Sequence, residues 1–146
     1  MQTTKPVFDN ETRRLVRDTW EQVAPMGEAA AELFYHKLFQ RHPGVKPLFH
    51  GVDMPAQQNR LIHAIDAVVN ALDHFDEMEP LLEDLGHRHR GYGVLDSHYD
   101  AVGDALLATL AEGLGAAWSE AVESAWTTVY VRVATVMRGA EMRAMG

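Results

Sequence analysis

The stretch EDLGHRHRGYGVLDSHY, residues 83–99, holds three histidines and two tyrosines. Imidazole at this density points to metal ligation or proton transfer. A helix turns about 100° per residue, so positions i and i+4 share a face while i and i+2 oppose each other. Leu81, Leu82 and Leu85 form an apolar stripe, and His89 continues it four residues after Leu85. His87 falls on the other side with Glu83 and Arg90 and reads as solvated, so His87 and His89 cannot chelate one metal from a helix. His98 opens the next segment, and its spacing does not assign it. For His89 two readings stand. One is a core histidine bonded to backbone, which spacing alone favours; the other is an axial metal ligand held as neutral imidazole.

Competing chemistries lack their residues. The chain has no cysteine, which removes disulfides, zinc–thiolate sites, iron–sulfur clusters, thiolate-ligated haem and c-type haem attachment. No histidine has a glutamate three residues before it, as a di-iron carboxylate bundle requires. Neither H-E-x-x-H nor G-x-S-x-G occurs, so zinc hydrolysis and a nucleophile elbow have no motif. The formal net charge is −8, from 13 Lys and Arg against 21 Asp and Glu. The densest basic patch is the short RHR at Arg88–Arg90, and no nucleic-acid partner is expected. The start, MQTTKPVFDNETRRL, has no apolar core like that of a signal peptide, and no run is long enough to span a bilayer. With zero cysteine, the expectation is a cytoplasmic protein without a membrane partner.

The elements that must position His89 are helical throughout, because Pro, Gly and Asn/Asp clusters punctuate stretches of helical apolar period. A first helix is predicted from Asp9 or Asn10 to Pro25/Gly27, and a second from about Glu28 to Arg41, ending before Pro43. HPGVKPLFHGVDMP should form a compact irregular corner. A long helix is predicted from about Pro55 to His74 and a shorter one from near Pro80 to Gly91/Gly93. Two more follow, from Asp96 or Ser97 to Gly113/Gly115 and from about Trp118 to near the C-terminus. No segment alternates as a strand would. At 146 residues the chain is expected to be one all-α domain, 1–146, with 1–8 as a flexible N-terminal extension.

Other polar residues share inward stripes. Ala31, Tyr35 and Leu38 lie on one face, and Gln57 heads a stripe through Leu61, Ala64, Val68 and Leu72. Trp126, Tyr130, Val133 and Met137 form another stripe, with Glu141 on its continuation. Taken singly, each has an ordinary explanation: a core tyrosine, an exposed amide at a helix start, a packing phenylalanine at Phe49, an acid near the chain end. His63 points away from Leu61 and reads as a surface residue.

Together these residues resemble a globin, similar to the haem domain of bacterial flavohaemoglobins. The resemblance runs through ELFYHKLFQRHPGVKPLF, the helix from Gln57 to Leu61, LEDLGHRHRGYGVLDSHYDAVGDALLATL and AWTTVYVRVATVM. It implies a globin fold of about six to eight helices around a b-type haem, with His89 as the proximal ligand. Phe49 matches the phenylalanine packed on the haem face. Tyr35 and Gln57 match the distal pair that hydrogen-bonds the bound gas, with Gln58 the competing candidate after the short HGVDMP loop. Leu61 matches the residue that limits space for the gas, and Tyr99 and Glu141 match the pair that orients the proximal histidine. Leu85, Val94 and Val102 complete the cofactor-binding candidates.

The implied function is tight, reversible binding of oxygen, and of NO or CO. Nitric oxide dioxygenation to nitrate is the expected reaction, with Tyr35, Gln57, Tyr99 and Glu141 as its residues. The flavin and NAD-binding reductase that flavohaemoglobins append does not follow Glu141, so a separate reductase is expected as partner. The alternative is an oxygen carrier, store or sensor without turnover. A homodimer is left open.

Overall fold

The computed structural model describes residues 6–145, with side chains through residue 139. The described residues include six α-helices: α1 (Asn10–Val23), α2 (Gly27–Arg41), α3 (Met54–Asn70), α4 (Phe75–Gly91), α5 (Asp96–Leu114) and α6 (Glu120–Met145). Short 3-10 turns join several of them, the longest being Pro43–Phe49 in the proline-rich corner. No helix among the described residues is long and apolar enough to cross a membrane.

Helix starts follow side-chain chemistry. Asp9 caps α1 by accepting from the Thr12 amide at 2.8 Å, and Asp53 does the same for α3 through Ala56; each supplies an acceptor for one of the four orphaned first-turn N–H groups. The Ser119 hydroxyl accepts from Val122 at the start of α6. His98, which spacing left open, is the third residue of α5, and its Nδ1 accepts from the amide of the N-cap residue Leu95 at 2.9 Å.

Two boundaries differ from the sequence reading. The long helix ends at Asn70, and a 3-10 turn over Leu72–His74 carries the chain into α4. Leu72 and Phe75 are both fully buried, and the tighter turn lets both enter the core. Helix α4 starts five residues before Pro80, at Phe75. Pro80 lies inside the helix, where it forgoes the bond to the Asp76 carbonyl and crowds that oxygen, while Asp76 and Glu77 in the first turn complement the helix dipole. The extension predicted for 1–8 also needs correcting. Phe8 is buried and packs edge-on against Phe75, ring centroids 5.0 Å apart. Residues 1–5 of that extension lie outside the described residues.

Two apolar cores hold the helices. In the larger, Val16, Trp20 and Val23 of α1 meet Trp126 and Val129 of α6. Trp20 and Trp126 approach edge-on at 6.1 Å, and their indole N–H groups donate to Asp66 and Thr19. Burying such a ring while its polar handle keeps a partner avoids the desolvation cost of an unpaired donor. In the smaller core, Phe34, Tyr35 and Leu38 of α2 pack on Ala101 and Ala105 of α5. Each buried leucine of this kind contributes roughly 1.5–3 kcal/mol. Outside it, His42 and Arg41 both reach Asp104 of α5, at 2.9 and 3.3 Å, and, the His42 hydrogen bond foremost, hold its carboxyl below the usual carboxylate range.

Candidate functional site

A cavity of about 440 Å³ lies between the two cores, within the range of about 300–1,000 Å³ typical of ligand and cofactor pockets. Its walls come from α2, the Pro43–Phe49 corner, α3, α4, α5 and α6. Tyr35, Phe49, Gln57, Leu61, Leu85 and His89 all line it, as do Val94, Tyr99 and Val102. Glu141 lies on α6, but its side chain falls outside the described residues.

His89 sits in the last turn of α4. The backbone closes tightly behind it: the amides of Tyr92 and Val94 both donate to the His89 carbonyl, at 3.0 and 3.1 Å. Gly93 permits this reversal with φ +88°, a region that L side chains rarely enter. The ring is half-buried, and its Nδ1 lies 2.8 Å from the Leu85 carbonyl oxygen. A carbonyl can only accept, so Nδ1 carries the proton and a neutral ring presents its Nε2 lone pair. The two sequence readings of His89 therefore coexist: the backbone bond is present, and it leaves the other nitrogen available. His87 is exposed and pairs with Arg90.

On the opposite wall, Tyr35 is buried at 5% exposure. Burial pushes its phenol above the ordinary tyrosine value, while the Gln57 hydrogen bond and the Arg60 charge pull it back. Gln57 Nε2 donates to the Tyr35 hydroxyl at 3.0 Å. Gln57 makes this contact and lines the cavity; Gln58 does neither. The Phe49 ring stands 5.4 Å from that of Tyr35, edge to face. His63 is exposed.

Two residues absent from the sequence-based site belong beside it. Tyr130 of α6 lines the cavity, and its hydroxyl donates to the backbone carbonyl of Tyr99 at 2.6 Å. Burial raises the Tyr130 phenol strongly. Gly103 makes room for that ring, since a Cβ there would lie 2.7 Å from Tyr130 Cε2. The Arg138 guanidinium covers the Tyr99 ring at 5.3 Å from its centroid, a cation–π distance. Arg60 is the other, bonded to Gln57 Oε1. Tyr130 lay visibly on the α6 stripe and Arg60 one turn after Gln57, but neither spacing says which atom the side chain reaches.

The globin family profile matches residues 32–137, which includes every cavity-lining candidate above. The chain belongs to the globin family. Flavohemoproteins are among its relatives: that of Rhizobium meliloti strain 1021 is 32% identical over 137 residues, 92% of this chain and 34% of that protein. The Bacillus subtilis strain 168 flavohemoprotein is 28% identical over 137 residues, again 92% of this chain and 34% of the relative. The globin thus spans about a third of the length of these curated relatives. A hexacoordinated heme protein from an anhydrobiotic tardigrade, solved at pH 4, shares the fold with a TM-score of 0.82 at 19% identity, covering 92% of this chain and 95% of that one.

Globins hold a haem, and the residues present here fit one. Among the described residues no group of three or more His, Asp or Glu side chains comes together to cage a bare ion. One imidazole with a directed lone pair, facing an apolar cavity, instead suits a metal that arrives with ligands of its own. His89 would hold it, with Phe49, Leu61, Leu85, Val94 and Val102 as apolar walls.

Proposed function

We propose that the chain acts as a single globin domain, 1–146, that holds a b-type haem through His89 and retains oxygen for reaction with nitric oxide. The reaction is NO + O2 + one electron → nitrate, and the electron comes from a reductase partner. The haem supplies gas binding and one-electron chemistry when bound. The observation that carries the reading is the part-buried Tyr35–Gln57 hydrogen bond on the cavity wall.

The residues do the following. The Leu85 carbonyl fixes the tautomer and angle of His89 by accepting its Nδ1 proton. Tyr99 adds to this proximal side, with Tyr130 anchoring its backbone; Glu141 is the acid that the resemblance to flavohaemoglobins assigns beside it. On the distal side, the Tyr35 phenol and the second N–H of Gln57 would donate toward a partly negative gas held in the cavity. Hydrogen bonds to charged partners are worth about 1.5–3 kcal/mol each. Since each 1.4 kcal/mol is tenfold in an equilibrium, two such donors slow oxygen release by roughly a hundredfold or more. Such retention suits a reacting oxygen better than a delivered one. Burial keeps the phenol protonated, and so a donor, well above neutral pH.

Stopped-flow oxygen release from the reduced, haem-loaded protein tests this reading. Release is expected to be slow in the native chain and at least about tenfold faster in Tyr35→Phe. Fast release from both would remove the distal assignment and leave an oxygen carrier or store. Steady NO consumption with a reductase present is the second arm; its absence would overturn the dioxygenase assignment.

A further inference from the structure

Arg60 is exposed and is not among the residues lining the cavity, yet it bears on the direction of the hydrogen bonds inside. It stands one turn after Gln57 on α3. Its guanidinium holds Gln57 Oε1 with Nε at 3.1 Å and Nη2 at 2.7 Å. Arginine nitrogens only donate, so the oxygen end of the amide is the end they hold. The nitrogen end is then left for Tyr35, 3.0 Å from the phenol oxygen. An amide N–H also only donates, so the phenol oxygen accepts. The phenol's own proton is therefore free to turn into the cavity.

A reversed amide would undo this. Its oxygen would take the phenol proton, and Tyr35 would have none for a gas. The two ends of a glutamine amide are nearly the same shape, and packing alone barely distinguishes them. The hydrogen-bond partners decide, and at Gln57 the partner outside the cavity is the Arg60 fork. The positive charge of Arg60 acts in the same direction, favouring a more acidic phenol against the effect of burial.

We propose that Arg60 is a positioning residue of the distal site: by clamping Gln57 Oε1 from outside the cavity, it turns the Tyr35 phenol proton toward the bound gas. This inference rests on the reading of Tyr35 and Gln57 as the distal pair.

The test compares Arg60→Leu, Arg60→Lys, Tyr35→Phe, Gln57→Leu and the Arg60→Leu/Gln57→Leu double variant, all haem-loaded. Two readouts serve: the oxygen dissociation rate, and the infrared C–O stretching frequency with carbon monoxide bound, which reports hydrogen-bond donation without any turnover. Arg60→Leu is expected to speed oxygen release about threefold or more, the scale of coupling within one hydrogen-bond network. It should also move the C–O band toward its position in Tyr35→Phe. Arg60→Lys should recover part of both, because an ammonium still donates to Oε1. In the Gln57→Leu background, Arg60→Leu should change neither.

If Tyr35→Phe moves both readouts and Arg60→Leu moves neither, the clamp is wrong and the distal pair stands. An equal Arg60→Leu effect with and without Gln57 would also overturn it, since the charge would then act without the amide. If Tyr35→Phe itself moves neither readout, the distal pair fails and the clamp with it.

Discussion

A neutral imidazole has one N–H and one lone pair, and at His89 the Leu85 carbonyl takes the N–H at 2.8 Å. That bond gives the residue a direction as well as a place. Loss of an outer partner of a metal ligand typically costs 10–100-fold in affinity, so loss of the ligand itself should cost more. His89→Ala is expected to weaken haem retention by at least about a hundredfold, measured as the rate of haem transfer to an excess of a haem-free acceptor globin. His87→Ala should retain haem like the native chain, because His87 is exposed and bonded to Arg90. Equal retention by the two variants would contradict the ligand assignment. At this scale the sequence was informative wherever a role depends on which face a residue occupies. The four-residue step from Leu85 to His89 places the ring inward, and the steps Ala31–Tyr35–Leu38 and Gln57–Leu61 do the same for the opposite wall. Roles that depend on side-chain reach were not legible. Arg60 and Gln57 are one of many polar pairs one turn apart, and no period says that the guanidinium grips the oxygen end of the amide.

Helix positions decide whether these faces meet, and here a glycine in α4 matters most. Gly86 lies against the backbone of α6, where a Cβ would stand 2.8 Å from Met137 Cα and closer still to the Met137 carbonyl oxygen. Backbone atoms cannot rotate away as a side-chain end can, so an added methyl must push the helices apart. Gly86→Ala is therefore expected to destabilise the protein by about 1–3 kcal/mol, the usual cost of overpacking, despite alanine's better helix propensity. Urea unfolding of the haem-free protein would read this directly, and unchanged stability would mean the crossing has slack. Because His89 is one turn further along the same helix, the variant should also hold haem less tightly. The close crossing was invisible in the sequence, where Gly86 reads only as a small residue between Leu85 and His87. Helix ends were more legible where caps write them, as at Asp9 and Asp53, and least legible at α4. There, burial of Phe75 outweighs the local signal of Pro80 and starts the helix early.

Across the whole molecule, the two apolar cores share Leu106 of α5, which packs against both. Residues of both cores line the cavity, so a bound haem would be part of what joins one core to the other. The helices depend on it unequally. Helix α6 buries Val122, Ala125, Trp126 and Val129, and Trp126 is tied to α1 through Thr19. Helix α3 has one buried residue, Val69; Leu61, Ala64, Ile65 and Val68 of its inward side line the cavity instead. Both helices line the cavity, but protein alone already buries the named residues of α6, whereas most of the inward side of α3 would be covered only by a bound haem. A ligand that binds only the ordered form stabilises it by about 4.1 kcal/mol at a thousand times its dissociation constant. For amides that open only when haem leaves, that linkage slows exchange by roughly a thousandfold. Removing haem is thus expected to speed hydrogen exchange most over residues 60–68 of α3, by up to that factor, and far less around Trp20 and Trp126. Site-resolved exchange of the loaded and haem-free protein would show it. A uniform loss of protection would mean that the cores unfold together, and that α5 alone couples them more tightly than its shared leucine suggests.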